Sequence, residues 1–203
     1  LGRLDPEHLA NSVVEGPALP DDRYRTTVRL AFGRDGRPGF RAAKDHRVVT
    51  IDDCLVAHPR LAELLPELRG RGVDEIVLRL GARTGDRSAR WDGAGAVDGL
   101  PGDVRIGDGA HVVEFVAGRP LRVSTPSFFQ SSPEAADALV AVVGQFVGDV
   151  GTVVDAYGGV GLFSSALGAH RPTTLVEISP SSCRDAHVNL AGRAAVIVES
   201  TVE

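Results

Sequence analysis

The sequence has 203 residues, of which 43% are hydrophobic and 24% charged, and its formal net charge at pH 7 is −5. These fractions are typical of a globular protein, and no apolar run approaches the roughly 18 residues of a membrane span. Two cysteines, Cys54 and Cys183, are too few for a disulfide framework. Together these features predict a cytoplasmic protein with no membrane association, and we expect it to be a monomer.

The chain contains no methionine, even at position 1. We therefore expect a fragment, a processed product or a sequence from which methionines are missing. Residues 1–22 are interpreted as a lead-in, in which Asp5 and Pro6 are typical of a helix start, whereas Pro17 and Pro20 end any regular element. We assign no function to this segment.

Residues 23–53 are predicted to form a β-hairpin, because they alternate, are rich in β-formers and contain a glycine-rich turn. Between Arg23 and Arg47, eight Arg or Lys side chains stand against two Asp, which gives this segment a net charge of +6. Arginines on one face of a strand pair can follow a phosphate backbone. The candidate contacts are Arg25, Arg29 and Arg41. The alternative is a solvated sheet face, and the sequence leaves both interpretations open.

The middle of the chain predicts further β-structure. Residues 60–69 have helical spacing interrupted by Pro66, residues 73–81 form a strand, and residues 111–124 form another hairpin. Residues 84–108 are dominated by Gly, Asp and Arg, which predicts long loops. Cys54 by itself is interpreted as a buried small hydrophobe.

The segment from Ser124 to Pro133 precedes a strongly predicted helix, with Ser132 or Ser131 as its cap. It contains two adjacent phenylalanines and Gln130. Such side chains can stack on a flat base and hydrogen-bond its edge. The alternative is a pair of core phenylalanines beside a surface amide.

A buried strand ending at Asp155 is followed by a glycine-rich turn, Gly158–Gly161, and by the apolar spacing of a helix start. Glycines let the backbone approach a ligand closely. A second short strand ends at Glu177, where a carboxylate can accept the two ribose hydroxyls of an adenosine. Asp155 would repel a pyrophosphate and suits the ammonium of S-adenosylmethionine (SAM). The alternative is a strand–helix turn of an α/β core without a ligand.

Taken in order, these segments resemble one family, the SAM-dependent RNA (uracil-C5) methyltransferases of tRNA and 23S rRNA. The resemblance covers about residues 20–203. It is carried by Tyr24-Arg25-Thr26, Gly39-Phe40-Arg41, Asp53-Cys54-Leu55, Ser127–Pro133, Val154–Phe163 and Val176–Pro180, with Asp185–Asn189 behind. The combination of the Phe-Phe-Gln segment with the glycine turn is more specific than either motif alone.

The resemblance implies an α/β fold: the lead-in 1–22, a central β-rich RNA-binding domain at 23–123, and the first half of a Rossmann-like SAM-binding domain at 124–203. We expect two strands of its parallel sheet, 152–155 and 173–177. The resemblance gives Gln130, Tyr157, Gly158, Gly159, Gly161 and Glu177 as cofactor positions. Asp155, interpreted above as the partner of the SAM ammonium, is added to them. The predicted RNA positions are Phe128, Gln130, Arg25, Arg29 and Arg41.

The resemblance also identifies what this sequence does not supply. Cys54 matches one ligand of a 4Fe–4S cluster, which the full-length protein holds only if three upstream cysteines exist. In the family a cysteine thiolate attacks C6 of uracil and a base later removes the C5 proton, and both residues are expected beyond Glu203. Cys183 does not match the nucleophile and is interpreted as structural.

We therefore predict a fragment of an RNA uracil-C5 methyltransferase that is inactive by itself. Two alternatives remain open at this stage. The first is a non-catalytic RNA-binding module that keeps the arginine hairpin, and the second is a small-molecule SAM methyltransferase.

Overall fold

A computed structural model of the chain describes residues 16–45, 47–148, 151–168 and 171–202. The predicted helix start at Asp5 lies outside the described residues. Within them, the chain forms an N-terminal part built on a mainly antiparallel sheet, in which only one pair of strands is parallel, and a C-terminal part that contains a parallel sheet. No helix in these ranges is both long and apolar enough to cross a membrane.

The N-terminal part contains eight strands and one short helix. These are β1 (Thr27–Phe32), β2 (Pro38–Arg41), β3 (Val48–Thr50), α1 (Pro59–Ala62), β4 (Arg69–Arg71), β5 (Glu75–Leu80), β6 (Arg87–Trp91), β7 (Ala96–Asp98) and β8 (Val104–Ile106). Six of the strands form one sheet in the order β3-β2-β1-β5-β6-β8, and β4 pairs with β7. The predicted hairpin at 23–53 is therefore present, with β1 and β2 as its arms and β3 added beyond β2.

Alternation along β1 and β5 gives this sheet two different faces. Val28, Leu30, Ile76 and Leu78 are buried in one cluster with the leucines of the 61–68 segment. The intervening residues project from the opposite, outer face. There the register pairs Thr27 with Arg79 and Arg29 with Val77. The outer face of this strand pair consequently carries polar and charged side chains, including Glu75, beside the apolar Val77 and Ala31.

The prediction of long loops at 84–108 is wrong, because this segment contains β6, β7 and β8. Pairing with the neighbouring strand β5 overrides the weak local strand propensity of β6. The buried Arg87 side chain is matched by acceptors: Asp103 lies 2.7 Å and Glu63 2.8 Å from its guanidinium nitrogens. The helical spacing at 60–69 yields only the single turn of α1, and turns follow it before β4.

The C-terminal part begins with the hairpin β9 (His111–Val116) and β10 (Arg119–Ser124). It continues with α2 (Pro133–Val147), β11 (Val153–Ala156), α3 (Leu162–Leu167), β12 (Thr173–Glu177), α4 (Pro180–Asn189) and β13 (Ala195–Glu199). The last three strands form a parallel sheet in the order β11-β12-β13. The expectation of two parallel strands is therefore wrong by one, since the apolar run at 195–198 forms the third.

The hairpin β9–β10 packs against the helices of the C-terminal part. Val112, Val116, Leu121 and Val123 share a buried cluster with residues of α2 and α3. Asp185 of α4, which is fully buried, accepts hydrogen bonds from the backbone N–H of Ser124 (2.7 Å) and from the Arg122 Nε (2.9 Å). The end of β10 is therefore fixed to α4, and the segment that follows β10 starts from a rigid point.

Candidate functional site

A cleft of about 520 Å³ lies between the outer face of the six-stranded sheet and the segment that joins β10 to α2. One side of the cleft is lined by Arg25, which precedes β1, and by Thr27, Arg29, Val77 and Arg79 of the sheet. The other side is lined by residues 125–131 of the segment. The predicted RNA positions Arg25, Arg29, Phe128 and Gln130 therefore meet in one cleft, although about 100 residues separate the two groups in sequence.

The segment 125–131 is held from both sides, which explains how it can present Phe128 and Gln130. The backbone N–H of Thr26 donates to the Ser131 carbonyl over 2.9 Å. On the other side, the Ser127 hydroxyl donates to Asp185 over 2.7 Å. Phe128 is 73% exposed although it is a large apolar side chain. Such an exposed ring, on a segment pinned at both ends, is available for stacking.

The cleft is basic. Among the described residues that line it there are three arginines and no carboxylate. Arg25 is exposed, and its guanidinium lies 5.8 Å from the ring centroid of Tyr24. Arg29 has one loose partner, with Glu75 at 3.4 Å. An open cleft with this lining attracts anions.

Arg41 is not part of the cleft. Its Nε donates to Glu75 over 3.0 Å, and it lines a different depression of the surface together with Phe32 and Asp74. The net charge of +6 counted along the sequence is also offset in space. Asp52 and Asp53 pair with two further arginines of the segment, Arg37 and Arg23. The basic surface is thus narrower than the sequence suggested, and Arg25 and Arg29 are its predicted members inside the cleft.

Sequence reasoning missed Arg79, which lines the same cleft. Arg79 is only 3% exposed. Burial lowers the pKa of its guanidinium to about 10, so the group remains positively charged at neutral pH. Its Nη2 donates to the backbone carbonyls of Thr125 and Ser127. An arginine between two leucines of a predicted strand was the available signal, because burying a charge is costly unless it is paired or hydrogen-bonded.

The second group of predicted residues lies at the end of β11. The turn 157–161 uses left-handed backbone angles at Tyr157 (φ 59°), Gly159 (φ 56°) and Gly161 (φ 86°). A Cβ at Gly158 would lie 2.5 Å from the Leu175 side chain, so only glycine lets this turn cross β12 so closely. A Cβ at Gly159 would instead meet nothing within 4 Å, which leaves that backbone open to a ligand.

Glu177 ends β12 beside this turn. One carboxylate oxygen accepts the Gly159 N–H over 2.9 Å, and the other accepts the Ser179 N–H over 2.7 Å. Glu177 therefore contacts the glycine turn, as expected if both bind the same cofactor. Tyr157, at 72% exposure, lies at the opening of the same turn.

Asp155 is nearly buried, and one of its oxygens accepts both the N–H (3.0 Å) and the hydroxyl (2.6 Å) of Ser164. The carboxylate therefore fixes α3 to the end of β11 by satisfying a free N–H near the helix start. Its predicted contact with an ammonium group would use the remaining oxygen and stays a prediction.

A chain of hydrogen bonds joins the basic cleft to the glycine turn. The hydroxyls of Ser127 and Ser181 are 3.1 Å apart, and those of Ser181 and Ser179 are also 3.1 Å apart. Ser179 in turn donates its backbone N–H to Glu177. The two candidate sites are consequently held by one polar network rather than by independent loops.

Neither cysteine has the surroundings of a nucleophile. Cys183 is buried, its thiol donates to the Glu177 carbonyl over 3.4 Å, and burial raises its pKa. Cys54 is also buried and free. In the described ranges, no group of three or more His, Cys, Asp and Glu side chains is arranged to hold a metal. The described residues therefore do not fit a 4Fe–4S cluster, because Cys54 has no other cysteine beside it.

No family model matches the sequence. Individual relatives do. The chain is 32% identical over 218 residues to an uncharacterized RNA methyltransferase of Streptomyces coelicolor, covering 91% of this chain and 46% of that protein. It is 25% identical to a 23S rRNA (uracil(1939)-C(5))-methyltransferase of Dichelobacter nodosus, covering 82% and 45% respectively.

This chain is a homologue of RNA methyltransferases. It spans about half the length of the curated relatives that it matches. The family resemblance identified from the sequence motifs is thereby confirmed.

A solved structure shares the fold. The chain aligns with a tRNA (uracil-54, C5)-methyltransferase of Pyrococcus abyssi, determined in complex with S-adenosyl-L-homocysteine, with a TM-score of 0.63 and 19% identity. The alignment covers 90% of this chain and 56% of the archaeal one. The predicted α/β fold, a β-rich domain followed by Rossmann-like strands and helices, is confirmed. The domain boundary at residues 123 and 124 and the individual site residues stay predictions.

Proposed function

We propose that the protein containing this chain transfers a methyl group from SAM to C5 of a uridine in tRNA or 23S rRNA. The observation that carries the proposal is the shared cleft. Arg25, just before β1, and Arg29, within β1, line the same cleft as Phe128 and Gln130 of the segment after β10. A basic wall beside an exposed aromatic ring suits a single-stranded RNA, with its phosphates on the arginines and a splayed base on Phe128.

The glycine turn fits the cofactor. Gly159 leaves open space where an added Cβ would lie, and Glu177 is already within hydrogen-bond distance of the turn. In the proposal Glu177 accepts the ribose hydroxyls, the backbone at Gly158, Gly159 and Gly161 follows the cofactor, and Gln130 and Tyr157 contact it at the rim. Asp155 holds the turn in place and offers its remaining oxygen to the ammonium. Bound SAM supplies the methyl group.

The role of this chain is to position both partners. Uracil C5 becomes nucleophilic when a thiolate adds at C6, and a base must then remove the C5 proton. The buried thiols of Cys54 and Cys183 suit neither step. We assign the thiolate and the base to the half of the relatives that this chain does not span.

Methyl transfer tests the proposal. The full-length protein is incubated with labelled SAM and unmodified tRNA or 23S rRNA, and the RNA is digested to nucleosides and analysed by mass spectrometry. We expect 5-methyluridine, and we expect none from the 203-residue chain alone. RNA binding without methylation would favour the non-catalytic RNA-binding module. Methylation of small molecules but not of RNA would favour the small-molecule SAM methyltransferase. A 4Fe–4S cluster, a cytoplasmic location and a monomeric state remain predictions.

A further inference from the structure

The floor of the basic cleft contains two polar atoms without partners. Arg79 and Thr27 lie opposite each other on neighbouring strands and both line the cleft. Within the described part of the chain, Arg79 Nε and Thr27 Oγ1 are buried atoms that make no hydrogen bond. Buried polar groups are nearly always satisfied, so two adjacent exceptions in one cleft call for a ligand.

Only one nitrogen of the Arg79 guanidinium has a structural role that the described contacts explain. Its Nη2 binds the carbonyls of Thr125 and Ser127, and these bonds hold the segment that carries Phe128. They leave Nε unused, and no carboxylate among the described residues forms an ion pair with this guanidinium. Burial lowers the pKa of this guanidinium and the charge of Asp185 raises it from a distance, but the two groups form no direct ion pair. A desolvated cation without a direct ion pair interacts with an approaching anion more strongly than an exposed arginine does.

We propose that Arg79 and Thr27 form the floor of a phosphate subsite, in which Arg79 Nε and Thr27 Oγ1 donate to a phosphodiester oxygen of the bound RNA. The inference rests on the proposed RNA substrate and deepens it. Arg25 and Arg29 guide the strand from the rim, whereas Arg79 and Thr27 fix one phosphate at the bottom of the cleft. That contact sets the position of the neighbouring base relative to Phe128.

Thr27 provides the cleanest test, because its hydroxyl has no partner in the protein to lose. Thr27→Val should leave the melting temperature unchanged or raise it, yet weaken binding of a uridine-containing single-stranded RNA by about 10- to 150-fold, the range of one hydrogen bond to a charged group. Its salt dependence should not change, since no charge is removed. Thr174→Val, the same substitution on β12 away from the cleft, is the matched control and should leave RNA binding unaltered.

Arg79 tests the charge. Arg79→Gln should weaken binding about ten- to a hundredfold and reduce the slope of log affinity against log salt by about 0.7, the value for one phosphate contact on a single strand. Arg79→Lys keeps the charge but lacks Nε, so it should retain the slope and lose affinity. Circular dichroism checks that each variant is folded.

Fluorescence anisotropy with a labelled oligonucleotide across several salt concentrations supplies these values for the full-length protein. If folded Arg79→Gln and Thr27→Val both bind RNA with the wild-type affinity and the wild-type salt slope, the subsite is wrong, although the proposed RNA binding still stands. An affinity loss in Arg79→Gln without a change of slope would overturn it too, because it would mean that the arginine contacts a neutral group. No RNA binding by the wild-type protein would overturn the proposed function and the subsite together.

Discussion

The two sheets of this chain use their outer faces differently. The six-stranded sheet buries Leu30, Ile76 and Leu78 on one face and forms the wall of the basic cleft with the other. The three-stranded parallel sheet buries Leu175 against α4, but its opposite face exposes Val154 (68%) and Val196 (61%). The polar residues on the outer face of the six-stranded sheet indicate a ligand. The valines on the outer face of the parallel sheet are not covered by any described residue.

This difference separates stability from function along the chain. The N-terminal sheet has a closed apolar core, so its outer face is free to carry the charges that would face RNA. Among the described residues the C-terminal sheet is covered on one side only, and its predicted cofactor site lies at the ends of β11 and β12, where the glycine turn and Glu177 meet. Substitutions should therefore have distinct consequences in the two regions.

The largest effect is expected in the core of the N-terminal sheet. Leu78→Ala removes a fully buried side chain and should lower the free energy of unfolding by about 2–5 kcal/mol. Val154→Ala, on the exposed face of the parallel sheet, should change it by less than about 0.5 kcal/mol. Urea denaturation measures both. Equal losses would mean that the outer face of the parallel sheet is covered in the folded protein.

The next effect is expected at the glycine turn. Glu177→Lys places an ammonium where ribose hydroxyls need an acceptor, and it also removes the acceptor for the Gly159 N–H. SAM affinity measured by calorimetry should fall by more than about a hundredfold, while RNA affinity should change little. Glu177→Gln, which keeps one acceptor, should lose less. The control is Glu67→Lys, which makes the same charge reversal at an exposed residue of the N-terminal part and should leave SAM affinity unchanged. Wild-type SAM affinity in Glu177→Lys would refute the placement of the cofactor at Glu177.

A smaller effect is expected for the arginines at the rim. Replacing Arg25, Arg29 and Arg41 together with Gln should weaken RNA binding and flatten its salt dependence, by up to about 2 in the log–log slope if all three contact phosphates. The structure sharpens this prediction, because Arg41 is paired with Glu75 outside the cleft. Arg25→Gln alone should therefore cost more affinity than Arg41→Gln alone.

The control for the rim is a second triple variant, in which Arg69, Arg71 and Arg90 are replaced by Gln. It removes the same charge from the N-terminal part without touching the cleft lining. Equal losses in both triple variants would mean that RNA responds to overall charge and not to this cleft. SAM affinity should be unchanged in both.

Much of the fold followed from local patterns. The alternating strands, the serine cap of α2 and the glycine turn at the end of β11 depend on neighbouring residues, so the sequence contains their signals. The strands within 84–108 did not follow, because their arginines are neutralised by carboxylates distant in sequence. The run at 195–198 carries the apolar and β-branched pattern of a strand, which is the signal that predicts β13.

The candidate site divides in the same way. Glu177 and the glycines could be predicted because they lie in one βαβ unit with fixed spacing. The cleft could be anticipated only as two separate segments, since the sheet register that brings Arg79 and Thr27 beneath Phe128 is a tertiary property. Arg41 illustrates the opposite error: a basic residue in the right segment whose charge is matched by Glu75, 34 positions away.

Photo-crosslinking tests the central claim most directly, since it asks where RNA lies on the protein. A single-stranded RNA containing 4-thiouridine is bound to the full-length protein, irradiated and digested, and the linked peptide is identified by mass spectrometry. The cleft predicts crosslinks to the segment of Phe128 and Gln130, lost when Arg25 and Arg79 are replaced. Crosslinks confined to the exposed faces of β11 and β13, or unchanged in those variants, would contradict the account.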